Sequence, residues 1–450
     1  MRVPLPVRAV LVTACLITVV SCTEAKSPNA ATSGSAGTSA GTSAGTTATS
    51  QVTPASAAAA LATTTPATTA PSSSTAETTA SAPTGKPFVV GVVNTEGAPG
   101  LDFPEFTVAF RAAAQRINTE LGGVKGRPLR LETCIAKGTP ESSQACAQEL
   151  AGKNVDLVML GIDIFVAYPT YAAARIPVIG AVPVLAGDYT ADAVYISAGN
   201  LVLQGSTANA ITNAKYLGKR KVAVITNDSA ATISALNSLK PALEKGGATV
   251  TVISGGQNET DAGFLALMQD AADAKPEAIV SLYGESGCVA LMRARKDLAI
   301  AAPVFSNTGC LSKRVTDAAG AAAQGWYFAG ATGTKTSEDE AMRKYVAAIK
   351  GGSPADVDTT GFTVVAWSEL MSIAKTANKL ATDLTGAAVI EAFRNGQGTQ
   401  IGNGQAAPCG QIPAYKSVCS FTIPFAEYTA AGVTPAFGGE AIDAAELLPA

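Results

Sequence analysis

No histidine occurs anywhere in the 450 residues, and this shapes every reading of the chemistry. Without imidazole there is no Ser-His or Cys-His nucleophile pair and no His metal ligand. The segment nearest a serine nucleophile elbow is Gly284-Glu285-Ser286-Gly287-Cys288. Its second glycine comes one position early for GxSxG, and no base accompanies it. The Gly-rich run Gly402–Gly410 lacks a Walker lysine and the GxGxxG spacing, so no nucleotide cofactor is expected. The cysteines have no CxxC spacing, so no metal site is expected either. No residue is assigned a catalytic role, although an enzyme working on carboxylates, Lys or Tyr alone stays open as one reading.

A different chemistry is carried by polar side chains that follow short apolar runs. Asn94 and Glu96 follow Phe88–Val93, Asp163 follows Val155–Leu160, and Asp228 follows Val222–Thr226. Tyr283 and Glu285 follow Ala278–Leu282, and Asn307 lies in Ser306-Asn307-Thr308-Gly309. Groups of this kind can grip a small molecule by hydrogen bonds and aromatic cover. Each also suits a turn, a helix cap or, for Tyr283, plain packing. Asp163 is the hardest to read as a cap, because it stands between Ile162 and Ile164 with no helix start immediately after it.

The elements that must position these residues form a repeating pattern of short Val/Ile/Leu runs, each followed by a helical period. That alternation is the mark of βαβ units and buried parallel sheets. Strand Phe88–Val93 leads to a helix with Phe106, Phe110, Ile117 and Leu121 on its apolar face and Gly122-Gly123 as its stop. Strand Leu129–Glu132, helix Ser142–Leu150, strand Val155–Leu160, a short helix after Tyr168 and strand Val178–Ala181 complete a first set. A second set runs through strand Val222–Thr226, helix Ile233–Glu244, strand Thr249–Ile253, helix Gly263–Ala272 and strand Ala278–Leu282. The shared order predicts an internal duplication, with Asp188–Gly205 crossing between the halves. Helices near Glu338–Lys350 and Phe362–Leu380 and a last strand near Val418–Ile423 follow.

The expected fold is therefore α/β, two Rossmann-like lobes with parallel central sheets joined by a multi-strand hinge. The first lobe is expected over 88–204 with about 331–410 returning to it, and the second over 205–330 with about 411–450 returning. Ligands of parallel sheets bind beyond the C-terminal strand ends, so two such lobes make a cleft. With 47% hydrophobic residues and a net charge of −3, the chain can fill two cores and has no basic field for nucleic acid. A monomer binding a small molecule is expected.

The N-terminus reads as an export signal over residues 1–21. Arg2 and Arg8 precede an apolar stretch, Ala9–Val20, too short to span a hydrocarbon core of about 30 Å. The stretch ends Val19-Val20-Ser21-Cys22, which resembles a bacterial lipobox and makes Cys22 the acylated first residue of a lipoprotein on the outer face of the cytoplasmic membrane. Ordinary secretion with cleavage elsewhere is the alternative. Residues 22–86, rich in Ala, Thr, Ser, Gly and Pro, form a tether with a mean reach of roughly 40 Å. The lipid is the expected membrane contact. Outside the cytosol an even cysteine count implies disulfides, and six remain: Cys134 with Cys146, Cys288 with Cys310, and Cys409 with Cys419 as local couples.

One segment carries a family resemblance. The run AAQRINTELGGVKGRPL, ending at Leu129, resembles the Ile-Asn, Gly-Gly, Gly and Leu pattern of the leucine/isoleucine/valine-binding family of type I periplasmic binding proteins. The resemblance continues through Val155–Gly161, Ile176–Val182, GKRKVAVITND at 218–228 and KPEAIVSLYG at 275–284. It implies two lobes with three crossings, closing on a ligand handed to an ABC permease. In the family's amino-acid binders a hydroxyl-bearing turn after the third strand and a Thr after the fourth hold the ligand carboxylate, and a Glu of the second lobe holds its ammonium. Here the corresponding segments read Gly161-Ile162-Asp163-Ile164-Phe165 and Val182-Pro183-Val184, and Thr308 stands where the Glu is expected. Tyr283 matches a Tyr of the family's ligand wall. The resemblance thus implies a branched-chain or other amino acid, with a small amide close behind because the clamp is altered. A sensing protein of the same fold is the alternative to a transport receptor.

Overall fold

A computed structural model describes residues 81–98, 102–331, 333, 337–359, 361–399 and 408–449. The export signal, Cys22, the tether up to residue 80 and residues 402–407 of the Gly-rich run lie outside the described residues.

The chain opens with β1 (Phe88–Thr95), α1 (Pro104–Thr119), β2 (Leu129–Ala136), α2 (Pro140–Gly152), β3 (Leu157–Leu160), α3 (Tyr168–Ala173), β4 (Val178–Gly180) and β5 (Val194–Tyr195). It continues with α4 (Asn200–Thr212), β6 (Lys221–Asn227), α5 (Ala230–Lys245), β7 (Thr249–Gly255), α6 (Asp261–Asp273), β8 (Ala278–Ser281), α7 (Glu285–Asp297), β9 (Val304–Asn307), α8 (Lys313–Ala319) and β10 (Trp326–Ala329). Helices α9 (Ser337–Lys350), α10 (Gly361–Lys379) and α11 (Gly386–Arg394) follow. Four short strands end it: β11 (Thr422–Ile423), β12 (Phe425–Thr429), β13 (Gly432–Pro435) and β14 (Ile442–Asp443).

Two sheets carry the fold. The first runs β2-β1-β3-β4-β5 and is parallel throughout. The second runs β13-β12-β10-β9-β8-β6-β7, parallel from β10 to β7, with the β12–β13 hairpin added antiparallel at one edge. Numbered within its own lobe, each parallel set has the order 2-1-3-4-5. This repetition supports the duplication that the order of elements predicted.

Every residue of β1 is buried, because helices cover both faces of the sheet. Phe88, Val90 and Val92 pack with α1 and α9–α11, while Val89 and Val93 pack with α2 and α3. The alternation follows from successive side chains of a strand pointing to opposite faces. In the second lobe Val222 and Val224 of β6 enter one core and Ala223 and Ile225 the other. Each large aliphatic side chain buried this way contributes about 1.5–3 kcal/mol.

Several boundaries differ from the sequence reading. Leu121 is 38% exposed and lies beyond α1, whose buried face is Phe106, Phe110, Ala113 and Ile117. The chain leaves the helix at Glu120 and turns through Gly122 and Gly123, both at positive φ. A Cβ on Gly123 would stand 2.2 Å from the Arg127 carbonyl oxygen, so this turn requires glycine. The segment Asp188–Gly205 is not a bare crossing: it contains β5 and the start of α4, which packs in the second lobe. The last strand near Val418–Ile423 is only a bridge from Val418 to Tyr195 and the two residues of β11.

The chain passes between the two sets of cores after β5, after β10 and around 418–423, where Val418 and Phe421 enter the second core while Cys419 stays in the first. Disulfides join Cys134 to Cys146, Cys288 to Cys310 and Cys409 to Cys419.

Candidate functional site

In a sheet of order 2-1-3-4-5 the strand direction of chain travel reverses between the first and third strands, and a crevice opens beyond their C-terminal ends. In the first lobe that point lies at the ends of β1 and β3, and in the second at the ends of β6 and β8. Six of the seven residues singled out in sequence stand at these ends: Asn94, Glu96, Asp163, Asp228, Tyr283 and Glu285. Asn307 ends β9 beside them. The two ends adjoin: the Lys313 backbone N–H, just past β9, donates to Asp358 Oδ2 of the first lobe at 3.3 Å. The turn Thr308–Leu311 lies against α10.

In the first lobe Asn94 is buried and fully engaged. Its Nδ2 donates to Phe103 O at 2.8 Å and to Glu96 Oε1 at 3.1 Å, and its Oδ1 accepts from Ile162 N at 3.0 Å. A Cβ on Gly161 would lie 2.5 Å from that Oδ1, so the residue after β3 has to be glycine. Glu96, half-buried, also accepts from Thr107 Oγ1, and Lys137 Nζ donates to its carbonyl at 3.1 Å. Burial, with Asp102 and Glu96 close by, holds the neighbouring Glu105 carboxyl above its ordinary range.

Asp163 is 3% exposed. Its Oδ1 accepts from Ser143 Oγ of α2 at 2.5 Å and from Phe165 N at 3.4 Å. Burial raises its pKa, and the two hydrogen bonds do not fully offset this. Beyond β4, Asp188 accepts from the backbone of Val184 and Leu185 and from the Tyr168 hydroxyl.

In the second lobe Asp228 is exposed directly after β6. Tyr283 is 1% exposed, edge-on to Phe264 with ring centroids 5.0 Å apart, and its hydroxyl donates to Gly256 O at 2.8 Å. Burial pushes its phenol up to about 12, with Glu259 and Asp228 adding to the effect. Glu285 opens α7 and pairs with Arg314. Asn307 caps the turn Thr308–Leu311, accepting from Gly309 N at 2.8 Å. The structure thus brings Asn94 and Glu96 into contact and sets Asp228 near Tyr283, while Asp163 joins Ser143.

Sequence reasoning missed Phe103, Phe362, Thr95 and Tyr171. Phe362 is 42% exposed and packs on Phe103 and Phe106 with centroids 5.5 and 5.4 Å apart, at the end of β1. Its position at a helix start reads as an ordinary beginning of a period, and nothing local marks it as cleft-facing. A cavity of about 560 Å³ lies beside the first sheet between α3 and α11, lined by Tyr171, Arg175, Val178, Ile390 and Arg394 among others. Among the described residues no group of acids and cysteines forms a metal site, and no helix is long and apolar enough to cross a membrane.

The periplasmic binding protein family model matches residues 87–412. The chain belongs to the periplasmic binding protein family. Its fold is similar to that of an ABC transporter substrate-binding protein from Sphaerobacter thermophilus, at 16% identity and TM-score 0.61 over 80% of this chain and 97% of that one. A leucine-, isoleucine-, valine-, threonine- and alanine-binding protein from Brucella ovis, in closed conformation, has 13% identity and TM-score 0.61 over 81% and 97%. A leucine binding protein from Thermotoga maritima has 12% identity and TM-score 0.56 over 79% and 98%. No curated protein matches the chain. Members of this family are extracytoplasmic substrate-binding proteins.

Proposed function

We propose that this binding protein is a lipoprotein receptor of an ABC importer. Acyl chains on Cys22 hold it at the outer face of the cytoplasmic membrane, and the tether gives it reach. As a monomer it closes its two lobes on one small polar molecule, an amino acid or small amide, and presents it to the permease. The observation that carries the reading is the repeated strand order with chemistry-bearing residues at both switch points. Glu96 and Asp163 from the first lobe and Asp228, Glu285 and Asn307 from the second are the groups offered to the ligand. Asn94 and Tyr283 position the loops that carry them, since their own polar atoms are already engaged.

The test is a thermal-shift screen of the mature protein against amino acids, amides, sugars and polyamines. A ligand at 100 times its dissociation constant stabilises by about 2.7 kcal/mol, which a melt reads easily. No shift with any of these classes would overturn the binding role. Release of a Cys22→Ser variant from membranes would support the anchor, and its full retention would refute it.

A further inference from the structure

At the first lobe's end of the crevice three buried oxygens stand without a partner. Thr95 Oγ1, Asp163 Oδ2 and Tyr171 Oη are all buried and have no hydrogen-bond partner among the described residues. They belong to one layer. Thr95 N donates to Ile162 O at 2.9 Å, which sets Thr95 beside Asp163. Ile162 packs in the α1 core, whereas Asp163 reaches Ser143 of α2. Val93 of the same β1 face as Thr95 packs there too, with Tyr171 of α3. The Asp163 charge acts on the Tyr171 phenol. No described ion pair includes Asp163.

Buried polar atoms are almost always hydrogen-bonded, and three unpaired oxygens in one layer call for a partner. The Thr95 and Tyr171 hydroxyls can accept or donate, whereas the carboxylate oxygen of Asp163 takes only a donor when ionised. A ligand carboxylate brought here would meet the Asp163 carboxyl, with Glu96, Asp102 and Glu105 at the same end of the lobe and Lys137, on the Glu96 carbonyl, as the cation set against them. An ammonium or amide N–H would meet acceptors.

At the same end of the lobe several large apolar side chains are open. Phe165, Leu185 and Phe362 are 37%, 43% and 42% exposed. Phe165 follows Asp163 by two residues, Leu185 follows β4, and Phe362 leans on Phe103 at the end of β1. Large apolar groups left open at a crevice gain from covering an apolar ligand surface.

Resting on the binding role proposed above, we infer that the ligand has a nitrogen donor head, an ammonium or a primary amide, joined to an apolar or aromatic group and free of a carboxylate. Asp163 with Thr95 receives the head, and Phe103, Phe165, Leu185 and Phe362 cover the apolar part.

Calorimetry on the full mature protein with matched probes tests this. Phenethylamine and L-phenylalaninamide carry the donor head on an aromatic group, L-leucinamide carries it on an aliphatic one, and L-phenylalanine, L-leucine and 3-phenylpropionate carry the carboxylate. At least one nitrogen-headed probe should bind ten times or more tighter than its carboxylate counterpart. Asp163→Asn should weaken the ammonium probe at least tenfold and the amide less, because the Asn carbonyl still accepts. Phe362→Ala should weaken both, with the ligand-free melt of each variant within a few degrees of wild type. Equal or tighter binding of the carboxylate probes overturns the inference, as does Asp163→Asn that melts earlier yet binds the nitrogen-headed probes unchanged. If a sugar or carboxylate from the wider screen binds and the nitrogen-headed probes do not, the ligand class is wrong and the binding role stands. If nothing binds in either screen, both fail.

Discussion

The hydroxyl of Tyr283 donates to the carbonyl of Gly256 at 2.8 Å, linking the residues that follow β8 and β7 past the end of β6. With its ring edge-on to Phe264, Tyr283 braces the second lobe from within. Tyr283→Phe should therefore cost about 1 kcal/mol, the worth of one hydrogen bond, and Tyr283→Ala about 3–5 kcal/mol. Urea unfolding of the two variants measures this. A Tyr283→Ala protein as stable as wild type would take Tyr283 out of the scaffold and return it to the ligand wall.

Asn94 plays the matching part in the first lobe. Asn94→Ala strips the Ile162 amide and Glu96 of a buried partner, and each unpaired group costs about 1–3 kcal/mol. The variant should lose about 2 kcal/mol or more, and the Ile162 amide should exchange with solvent much faster than in wild type. Hydrogen exchange at that amide decides the matter, since an unchanged rate means that another group holds the β1–β3 junction.

How much of this was legible in the sequence depends on the range of the interactions. The parallel strands announce themselves because both faces are buried, so β1 and β6 read as unbroken apolar runs. The duplication was visible as a shared order of elements. Positions after strands could be picked out, and the crevice rule then placed Asn94, Asp163 and Tyr283 at its ends. What each side chain does there was not legible. Tyr283 looks the same in sequence whether it faces a ligand or Gly256, and Asp163 meets Ser143 only because α2 folds back across twenty residues. Leu121 continued the helical period but falls past the end of α1, just before the glycine turn. The hairpin β12–β13 escaped notice because its strands are short and join a sheet formed a hundred residues earlier.

The third crossing is stapled to the first. Tyr195 N donates to Ser417 O at 2.7 Å, Cys419 N donates to Tyr195 O at 3.0 Å, and Ser417 Oγ donates to Asp188 O at 2.6 Å. The Cys409–Cys419 bond closes a loop with a sequence separation of 10 on this segment. Replacing both cysteines by serine should lower stability by up to about 3 kcal/mol by freeing the unfolded loop. Peptide mapping without reduction should return the three local pairs, and a Cys134 to Cys310 peptide would show the pairing to be wrong.

Glu369 gives the protein a pH dependence opposite to that of a salt-bridged acid. It lies on α10, fully buried, and neither carboxyl oxygen has a hydrogen-bond partner among the described residues. Burial drives its pKa well above the ordinary carboxylate range. The folded protein therefore keeps a proton that the unfolded chain gives up near the usual value of about 4.3. Above that pH the unfolded state binds fewer protons than the folded one, so stability falls as pH rises, until the folded-state pKa is passed. Asp163, also raised by burial, adds a slope of the same sign, so wild type alone cannot isolate Glu369. Glu369→Leu can, because it removes one titration and fills the same space with apolar atoms. The variant should match or slightly exceed wild type at about pH 4.5 and pull ahead as the pH rises, reaching about 1–3 kcal/mol by neutrality. Urea midpoints for both proteins across that range give the difference curve. A flat curve would mean that Glu369 titrates alike in the folded and unfolded chains, and a falling one that the side chain has an unseen cationic partner.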